Sequence, residues 1–295
     1  MASVRDLRDR IKSLKNTQQI TKAMKQVAAA KIRRAEAVQK QARPYADTLA
    51  EMLRDLLQNV RSVDHPFMKP GRAGAPSGVI LMTADKGLAG AFNSNLVQTA
   101  ETFRRAHQDA VFYSVGIKAR NAVRRWGKAD HATWVLGASD KIRTAREISE
   151  RVSADFTNGT IGEIVLISPK LISMMSQKPE RRTLVPITAE QGQPERSGVL
   201  SERSESKGKG AVEFSPSPEF VLSRLIPKYL EFTIYSAMLE TDAAFFAAQL
   251  VAMSNATDNA GKLIRDLTIV MNNARQAAIT KELLEIVAGA EALAG

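Results

Sequence analysis

Residues 222–278 read LSRLIPKYLEFTIYSAMLETDAAFFAAQLVAMSNATDNAGKLIRDLTIVMNNARQAA, and this stretch decides the fold. Within it, seventeen positions alternate steps of three and four residues without a break, and only Ser236 and Thr257 are not largely apolar. A hydrophobic period of 3.5 residues sustained over this length predicts a helix that supercoils around a partner helix. Pro227 is expected either to kink this helix or to mark where its regular part begins. The seventeen positions are Leu222, Leu225, Tyr229, Phe232, Ser236, Leu239, Ala243, Phe246, Leu250, Met253, Thr257, Ala260, Ile264, Leu267, Met271, Ala274 and Ala278.

The N-terminal segment supplies a partner helix. From Val4 to about Val60 it contains no glycine and one proline, Pro44, which predicts a helix roughly 85 Å long, too long for the inside of a compact domain. The same three-and-four alternation occurs near both of its ends, and the predicted seam between them is small or polar. We therefore expect the two terminal segments to form an antiparallel two-helix coiled coil. The seam residues are Val4, Leu7, Ile11, Leu14, Gln18, Thr21, Ala28, Lys31, Ala35, Leu49, Leu53, Leu56 and Val60.

The middle of the chain has the alternating pattern of an α/β domain. Short apolar runs, which predict buried strands, alternate with amphipathic stretches, which predict helices. We expect a small, parallel, Rossmann-like sheet, followed by a hairpin strand at Arg181–Ile187 after a turn at Lys178-Pro179-Glu180. The strand candidates are 78–83, 110–116, 132–136 and 163–168, and the helix candidates are 96–108, 118–126 and 141–156.

These patterns divide the chain into four parts. Residues 1–62 form the N-terminal coiled-coil helix, 76–190 the central α/β domain, and 218–291 the C-terminal helix that pairs with 1–62. Residues 191–217 are rich in Gly, Ser, Pro and charge, and are predicted to be a flexible loop.

Charge is concentrated at one end of the chain. Lys and Arg number 42 against 31 Asp and Glu, and residues 1–43 alone hold twelve basic and three acidic residues. A helix with a net charge of +9 favours an acidic partner. Nucleic acid is the alternative from a different class, although no aromatic residues are interleaved to stack on bases.

Several kinds of chemistry are disfavoured or excluded. The absence of Cys excludes disulfides and thiolate sites, and the three His residues share no metal-ligand spacing, so no metal site is expected. The sequence contains no run of about 18 apolar residues, so no transmembrane helix is predicted. The start of the chain has no pattern of a targeting leader.

One loop has the position of a ligand site. Thr83–Asn93 follows the first predicted strand, where doubly wound sheets bind ligands. Its glycines match neither of the usual phosphate-binding spacings, Gly-x-x-x-x-Gly-Lys-Ser/Thr and Gly-x-Gly-x-x-Gly. Gly87 and Gly90 are expected to allow a tight turn, with Asn93 or Ser94 capping the next helix. A small nucleotide-binding enzyme is therefore only a third hypothesis, and no catalytic residue or cofactor is predicted.

The last turns of the C-terminal helix are apolar around much of their girth. After Ala278 the seam shifts to Ile279, Leu283, Ile286 and Val287. A helix end with this surface needs a protein sleeve around it.

Three ordered motifs carry a family resemblance. They are Ile11–Lys31 (IKSLKNTQQITKAMKQVAAAK), Thr83–Asn93 (TADKGLAGAFN), and Asn255–Ala260 (NATDNA) continuing to Ala274–Ala292 (ARQAAITKELLEIVAGAEA). Across nearly its whole length the chain resembles the γ subunits of bacterial F-type ATP synthases.

The resemblance implies a central rotor shaft. The coiled coil would turn inside a head of three α and three β subunits, coupling proton flow to ATP synthesis or hydrolysis, and the β subunits would hold the catalytic ATP sites. The α/β domain would contact the ε subunit and the membrane c-ring, without a transmembrane segment or nucleic acid. Location would be peripheral, on the cytoplasmic face of the bacterial inner membrane.

The resemblance also implies roles for particular residues. Met24 and Lys25 would lie at the coupling contact with the β subunits. Polar contacts with β would come from Arg275, Gln276, Thr280 and Glu282, and the apolar bearing tip would comprise Leu283, Leu284, Ile286, Val287 and Leu293. Each of these residues has an alternative interpretation as an ordinary coiled-coil or surface residue.

The chain departs from the family pattern before the third motif. Ala244-Phe245-Phe246 replaces the usual Ser-Glu-Gln, and Gln249 replaces the customary Arg. The two phenylalanines predict a more apolar local interface.

Overall fold

The computed structural model describes residues 3–59, 65–128, 130–187 and 218–294, without the side chains of 56–59, 218–219 and 291–294. These residues form two compact units, one from the described residues within Met1–Ala30 and Gln249–Gly295 and the other from those within Lys31–Ala248. We call them the helical unit and the α/β unit. The predicted loop at 191–217 and the seam residue Val60 lie outside the described residues.

Two long helices run through the terminal segments, as the 3.5-residue period predicts. Helix α1 spans Val4–Asn59 and helix α5 spans Pro218–Ala294. Pro227 lies inside α5, nine residues after its first residue, and the helix continues on both sides of it. Pro218 occupies the first turn instead, where its missing N–H breaks no helical hydrogen bond.

A five-stranded sheet organises the α/β unit in the order β3-β2-β1-β4-β5. Its strands are β1 (Ser77–Met82), β2 (Val111–Val115), β3 (Asp130–Trp134), β4 (Glu163–Ser173) and β5 (Ser176–Val185). The first four are mutually parallel, and β5 is antiparallel to β4. The intervening helices are α2 (Phe92–Ala106), α3 (Ile117–Arg125) and α4 (Lys141–Thr157).

The sheet is covered on both faces, and for this reason β1 is apolar at nearly every position. Val79 and Leu81 pack with α2 and α3, whereas Ile80 and Met82 pack into a second cluster with α4. That second cluster also contains Leu53 of α1 and Leu222 of α5. Alternate side chains of a strand point to opposite faces, so a strand covered on both sides reads as a continuous apolar run.

The predicted hairpin turn at 178–180 is wrong. Strand β5 already begins at Ser176, and Pro179 lies inside it, opposite Pro169 of β4. In an antiparallel ladder, facing residues alternate between pairs that exchange N–H···O bonds and pairs that do not, and two facing prolines suit the second kind. Since β5 is an edge strand, Pro179 removes no bond to a further strand.

The predicted seam also needs one correction in the α/β unit. Ile32 is buried, with 2% of its surface exposed, whereas the predicted seam residue Lys31 is exposed. The seam residue after Ala28 is therefore Ile32, four positions further along α1, and not Lys31, three positions further along. Lys31 instead places Nζ 5.3 Å from the ring centroid of Phe246.

Phe245, one of the two unusual phenylalanines, is used inside the α/β unit. It is buried and its ring meets that of Phe92, at the start of α2, edge to face with centroids 5.8 Å apart. Ala89 and Leu96 belong to the same cluster. At least part of the predicted apolar interface is therefore an internal contact of this chain.

Candidate functional site

The helical unit contains every residue that the sequence predicts to contact β subunits. Here the first part of α1 packs against the last part of α5, with Leu7 and Ile11 buried on α1 and Met253 and Ala260 buried on α5. The two helices are antiparallel. Contacts join Gln18 to Thr257 and Lys25 to Ser254, so the α5 partner moves backwards as α1 advances.

The centre of this interface is polar rather than apolar. The hydroxyls of Thr21 and Thr257 lie 2.8 Å apart, and Gln18 Nε2 donates to the carbonyl of Thr257 at 3.4 Å. A Cβ on Gly261 would come within 3.0 Å of Gln18 Nε2. The absence of a side chain at Gly261 therefore leaves room for the Gln18 amide against α5.

Met24 and Lys25 lie beside this polar centre. Met24 is half-buried. The Lys25 side chain is exposed, and its Nζ donates to the Ser254 hydroxyl at 2.9 Å. The sequence did not identify Ser254 as a partner, because only the pairing of the helices brings residues 25 and 254 together.

The other predicted contact residues lie beyond the end of α1. The Thr21–Thr257 contact sets a register in which Val4 faces about Ala274, so later residues of α5 have no opposite residue on α1. Residues 275–290 are all exposed. Arg275, Gln276, Thr280 and Glu282 therefore form an exposed polar surface that the structure does not bring together with Met24 or Lys25.

The predicted bearing tip is an exposed apolar helix. Leu283, Leu284, Ile286 and Val287 have between 57% and 67% of their surface exposed. Lys281 and Glu285 form an i,i+4 ion pair at 3.5 Å on the same segment. The side chain of Leu293 lies outside the described residues.

Sequence reasoning missed a second set of exposed apolar residues along the helical unit. Ile20 and Val27 on α1, and Leu263 and Val270 on α5, are each at least half exposed, as is Ile269. Each pair is seven residues apart and so lies on one face of its helix. The spacing of seven residues is present in the sequence, but the longer and more regular seam pattern obscures it.

The loop after β1 is closed by its own side chains. The Asp85 carboxylate accepts backbone N–H bonds from Ile117 at 3.0 Å, Leu136 at 3.3 Å and Gly137 at 2.8 Å. These amides follow β2 and β3, where a bound phosphate would need donors. An internal carboxylate thus occupies the backbone amides at the carboxyl ends of these two strands.

Two expectations for this loop need correction. Asn93 does not cap α2, which begins after Ala91 without a side-chain cap; its amide bonds Ala84 N and Lys86 O, and so ties the loop together. The Ser94 hydroxyl donates to the Ala91 carbonyl. Among the described loop residues, Leu88 (φ 64°) and Gly90 (φ 57°) have left-handed backbone, and Gly87 does not.

Asp242, on α5, is a carboxyl of the α/β unit whose pKa is perturbed by burial. Burial raises its pKa, and the Lys141 ammonium at 3.0 Å partly opposes this effect. Lys141 also donates to the Leu136 carbonyl. This pair borders a cleft of about 720 Å³ between α1, α4 and α5.

The described residues thus define a class of protein that combines an α/β domain with a two-helix coiled coil whose α5 end is apolar and exposed. No helix within the described ranges has the length and apolarity needed to cross a membrane.

Comparison with known proteins gives the particular family. The family model described as ATP synthase matches residues 3–293. The ATP synthase gamma chain of Heliobacterium modesticaldum is 41% identical over 99% of this chain and 100% of its own, and that of Phenylobacterium zucineum is 39% identical over the same shares. The chain therefore belongs to the family of ATP synthase gamma chains.

Solved structures agree on the fold. A chain of the Euglena gracilis mitochondrial ATP synthase, in its OSCP/F1/c-ring structure, superposes with a TM-score of 0.67 over 98% of this chain and 94% of its own, at 18% identity. A chain of the Tetrahymena thermophila central stalk and c-ring gives 0.58 over 80% and 99%, at 21% identity. These likenesses confirm the predicted combination of long terminal helices and a central sheet.

Proposed function

We propose that this chain is the central-stalk rotor subunit of a proton-translocating F-type ATP synthase, coupling rotation driven by proton flow to ATP synthesis or hydrolysis in the α/β head. The family supports this function. The single observation that carries it is the exposed apolar end of α5, which extends past α1 and needs a surrounding protein.

An apolar tip suits a rotating contact. Burying a Leu, Ile or Val side chain contributes about 1.5–3 kcal/mol, and this attraction has no directional preference. Leu283, Leu284, Ile286 and Val287 would therefore bind an apolar sleeve with similar free energy at every angle. Hydrogen bonds at the same place would have to break and re-form in each turn.

Residues of the helical unit outside the apolar tip would transmit rotation. Met24 and Lys25 on one face, and Arg275, Gln276, Thr280 and Glu282 further along, contact the β subunits in turn. The excess positive charge of α1 favours an acidic surface on those subunits. Because one asymmetric shaft contacts three sites differently, turning it changes which conformation each site prefers.

Under this proposal, the chain itself holds no catalytic site and no cofactor. ATP binds to the β subunits. The Asp85 carboxylate supports this assignment, since it engages the amides at the ligand-binding end of the sheet.

The α/β unit would contact the ε subunit and the c-ring, and three α and three β subunits would surround the shaft. Location is then peripheral, at the cytoplasmic face of the bacterial inner membrane. Bacterial relatives and the c-ring assemblies of the similar structures support this placement. The nucleic-acid alternative gains no support from the comparisons.

The test is reconstitution with purified α and β subunits, followed by native mass spectrometry and a Mg-ATPase assay. We expect one copy of this chain with three of each subunit, and activated hydrolysis. Folded components that form no complex would contradict the proposal. DNA binding that weakens steeply with salt would then favour the alternative.

A further inference from the structure

Lys25 follows the spacing of the two-helix seam, but its side chain is exposed. The alternation that buries Thr21 and Ala28 passes through residue 25, by steps of four and three. A lysine at such a position can lay its aliphatic stem along the partner helix, but its ammonium must reach water or a polar acceptor. Here Nζ reaches across the interface and donates to the Ser254 hydroxyl at 2.9 Å.

The acceptor of the Lys25 ammonium is a neutral hydroxyl. In residues 3–30 and 249–290, no carboxylate lies within ion-pair distance of the Lys25 ammonium. A hydroxyl acceptor orients the ammonium without cancelling its charge. The ammonium therefore lies beside Met24, tied to α5 by one hydrogen bond.

The neighbouring contacts hold Ser254 in position. Ser254 and Thr257 are three residues apart and lie on the same face of α5. Thr257 bonds both Thr21 and Gln18 on α1, which limits rotation of α5 about its own axis at this level. Ser254 therefore faces Lys25 because the next turn of the helix is already tied to α1.

We propose that Ser254 is a positioning residue, whose hydroxyl aims the Lys25 ammonium so that it meets an acidic group of the surrounding head at the correct point of the rotation. Ser254 acts through Lys25. The inference deepens the proposed function and rests on it.

The test compares variants in the whole enzyme, reconstituted into vesicles, by the number of protons pumped per ATP hydrolysed. Ser254→Ala should lower this ratio about two- to fivefold, an effect at the low end of the range for one net hydrogen bond, because the contact is exposed. Ser254→Thr keeps the hydroxyl and should retain most of the ratio. Ser13→Ala, at an exposed serine of the same helical unit, is the matched control and should change nothing.

A double-mutant cycle then asks whether the two residues act together. Lys25→Ala should lower the ratio at least as much as Ser254→Ala, and adding Ser254→Ala to it should have no further effect. Additive losses would overturn the proposal. A Ser254→Thr variant as poorly coupled as Ser254→Ala would also overturn it, because the hydroxyl would then not matter.

A second measurement uses the free full-length chain and so separates the two proposals. NMR of the lysine ammonium groups should show slower hydrogen exchange at Lys25 in the wild type than in Ser254→Ala. Slow exchange in a chain that does not assemble with α and β would contradict the proposed function, and with it the role of the contact. Normal assembly with equally fast exchange in both chains would overturn the positioning role alone.

Discussion

The α/β unit and the helical unit treat apolar residues in opposite ways. In the α/β unit, β1 is buried along its whole length, and clusters on both faces of the sheet enclose its side chains. In the helical unit, the leucines and isoleucines of the described α5 end, from residue 279 to 290, are at least half exposed. The first unit obtains its hydrophobic free energy within the chain, and the second leaves much of its apolar surface for partners.

The same substitution in the two units should therefore have very different effects on stability. Leu166→Ala, at a fully buried position of β4, should lower the free energy of unfolding by about 2–5 kcal/mol. Leu284→Ala, where 65% of the side chain is exposed, should stay within about 0.5 kcal/mol. Urea unfolding of the free chain measures both, and similar losses would contradict the contrast between the units.

In the assembled enzyme, truncating the side chains of the tip should have a large effect. Leu283→Ala, Leu284→Ala and Ile286→Ala together should weaken assembly with α and β by about 3 kcal/mol, more than a hundredfold in affinity, because partner burial of three side chains is lost. Stability of the free chain should not change. Lys281→Ala is the control on the same turns, and an equal loss from it would show that apolar contact is not what holds the tip.

The accuracy with which the sequence predicts each element depends on how often its residue pattern repeats. The seam of α5 was predictable because it repeats over many turns, so single exceptions do not disturb it. The phase near Lys31 was wrong because the preceding residues, 28–30, are all alanine and mark no particular face. At Pro179 a local turn signal was misleading, since the register of β5 is set by its partner strand.

The polar contacts could not be predicted for a related reason. Ser254 meets Lys25 across 229 positions of sequence, and Asp85 meets amides 32 to 52 residues away. Neither residue type indicates its partner. Such contacts depend on the tertiary arrangement, whereas seams and strands follow from local periodicity.

The hydrogen bonds of Asp85 provide a test of whether a polar contact stabilises the α/β unit. Asp85→Ala leaves three backbone amides without their acceptor and should lower the free energy of unfolding by about 1–3 kcal/mol. Lys86→Ala, at the exposed neighbouring position, should be close to neutral. If thermal unfolding shows equal stability for both variants, water replaces the carboxylate at no cost, and the loop is not held by Asp85.

The smallest expected effect is a pH dependence confined to the α/β unit. Burial raises the pKa of Asp242 above its ordinary value of 3.8, so the folded chain binds this proton more tightly than the unfolded chain. The stabilising contribution of that proton is complete below pH 3.8 and is lost as the pH rises through the raised pKa of the folded state. Lys141 limits the loss but does not reverse the direction.

Asp242→Asn should therefore remove a fall in melting temperature that the wild type shows as the pH rises above about 4. Asp109→Asn, an exposed carboxylate in the same unit, should leave the fall unchanged. A fall that persists in Asp242→Asn belongs to another group. Because Asp258, Asp266, Glu282 and Glu285 of the helical unit are all exposed, removing their carboxylates should not reproduce the effect, and the pH response would distinguish the unit that buries its side chains from the unit that presents them.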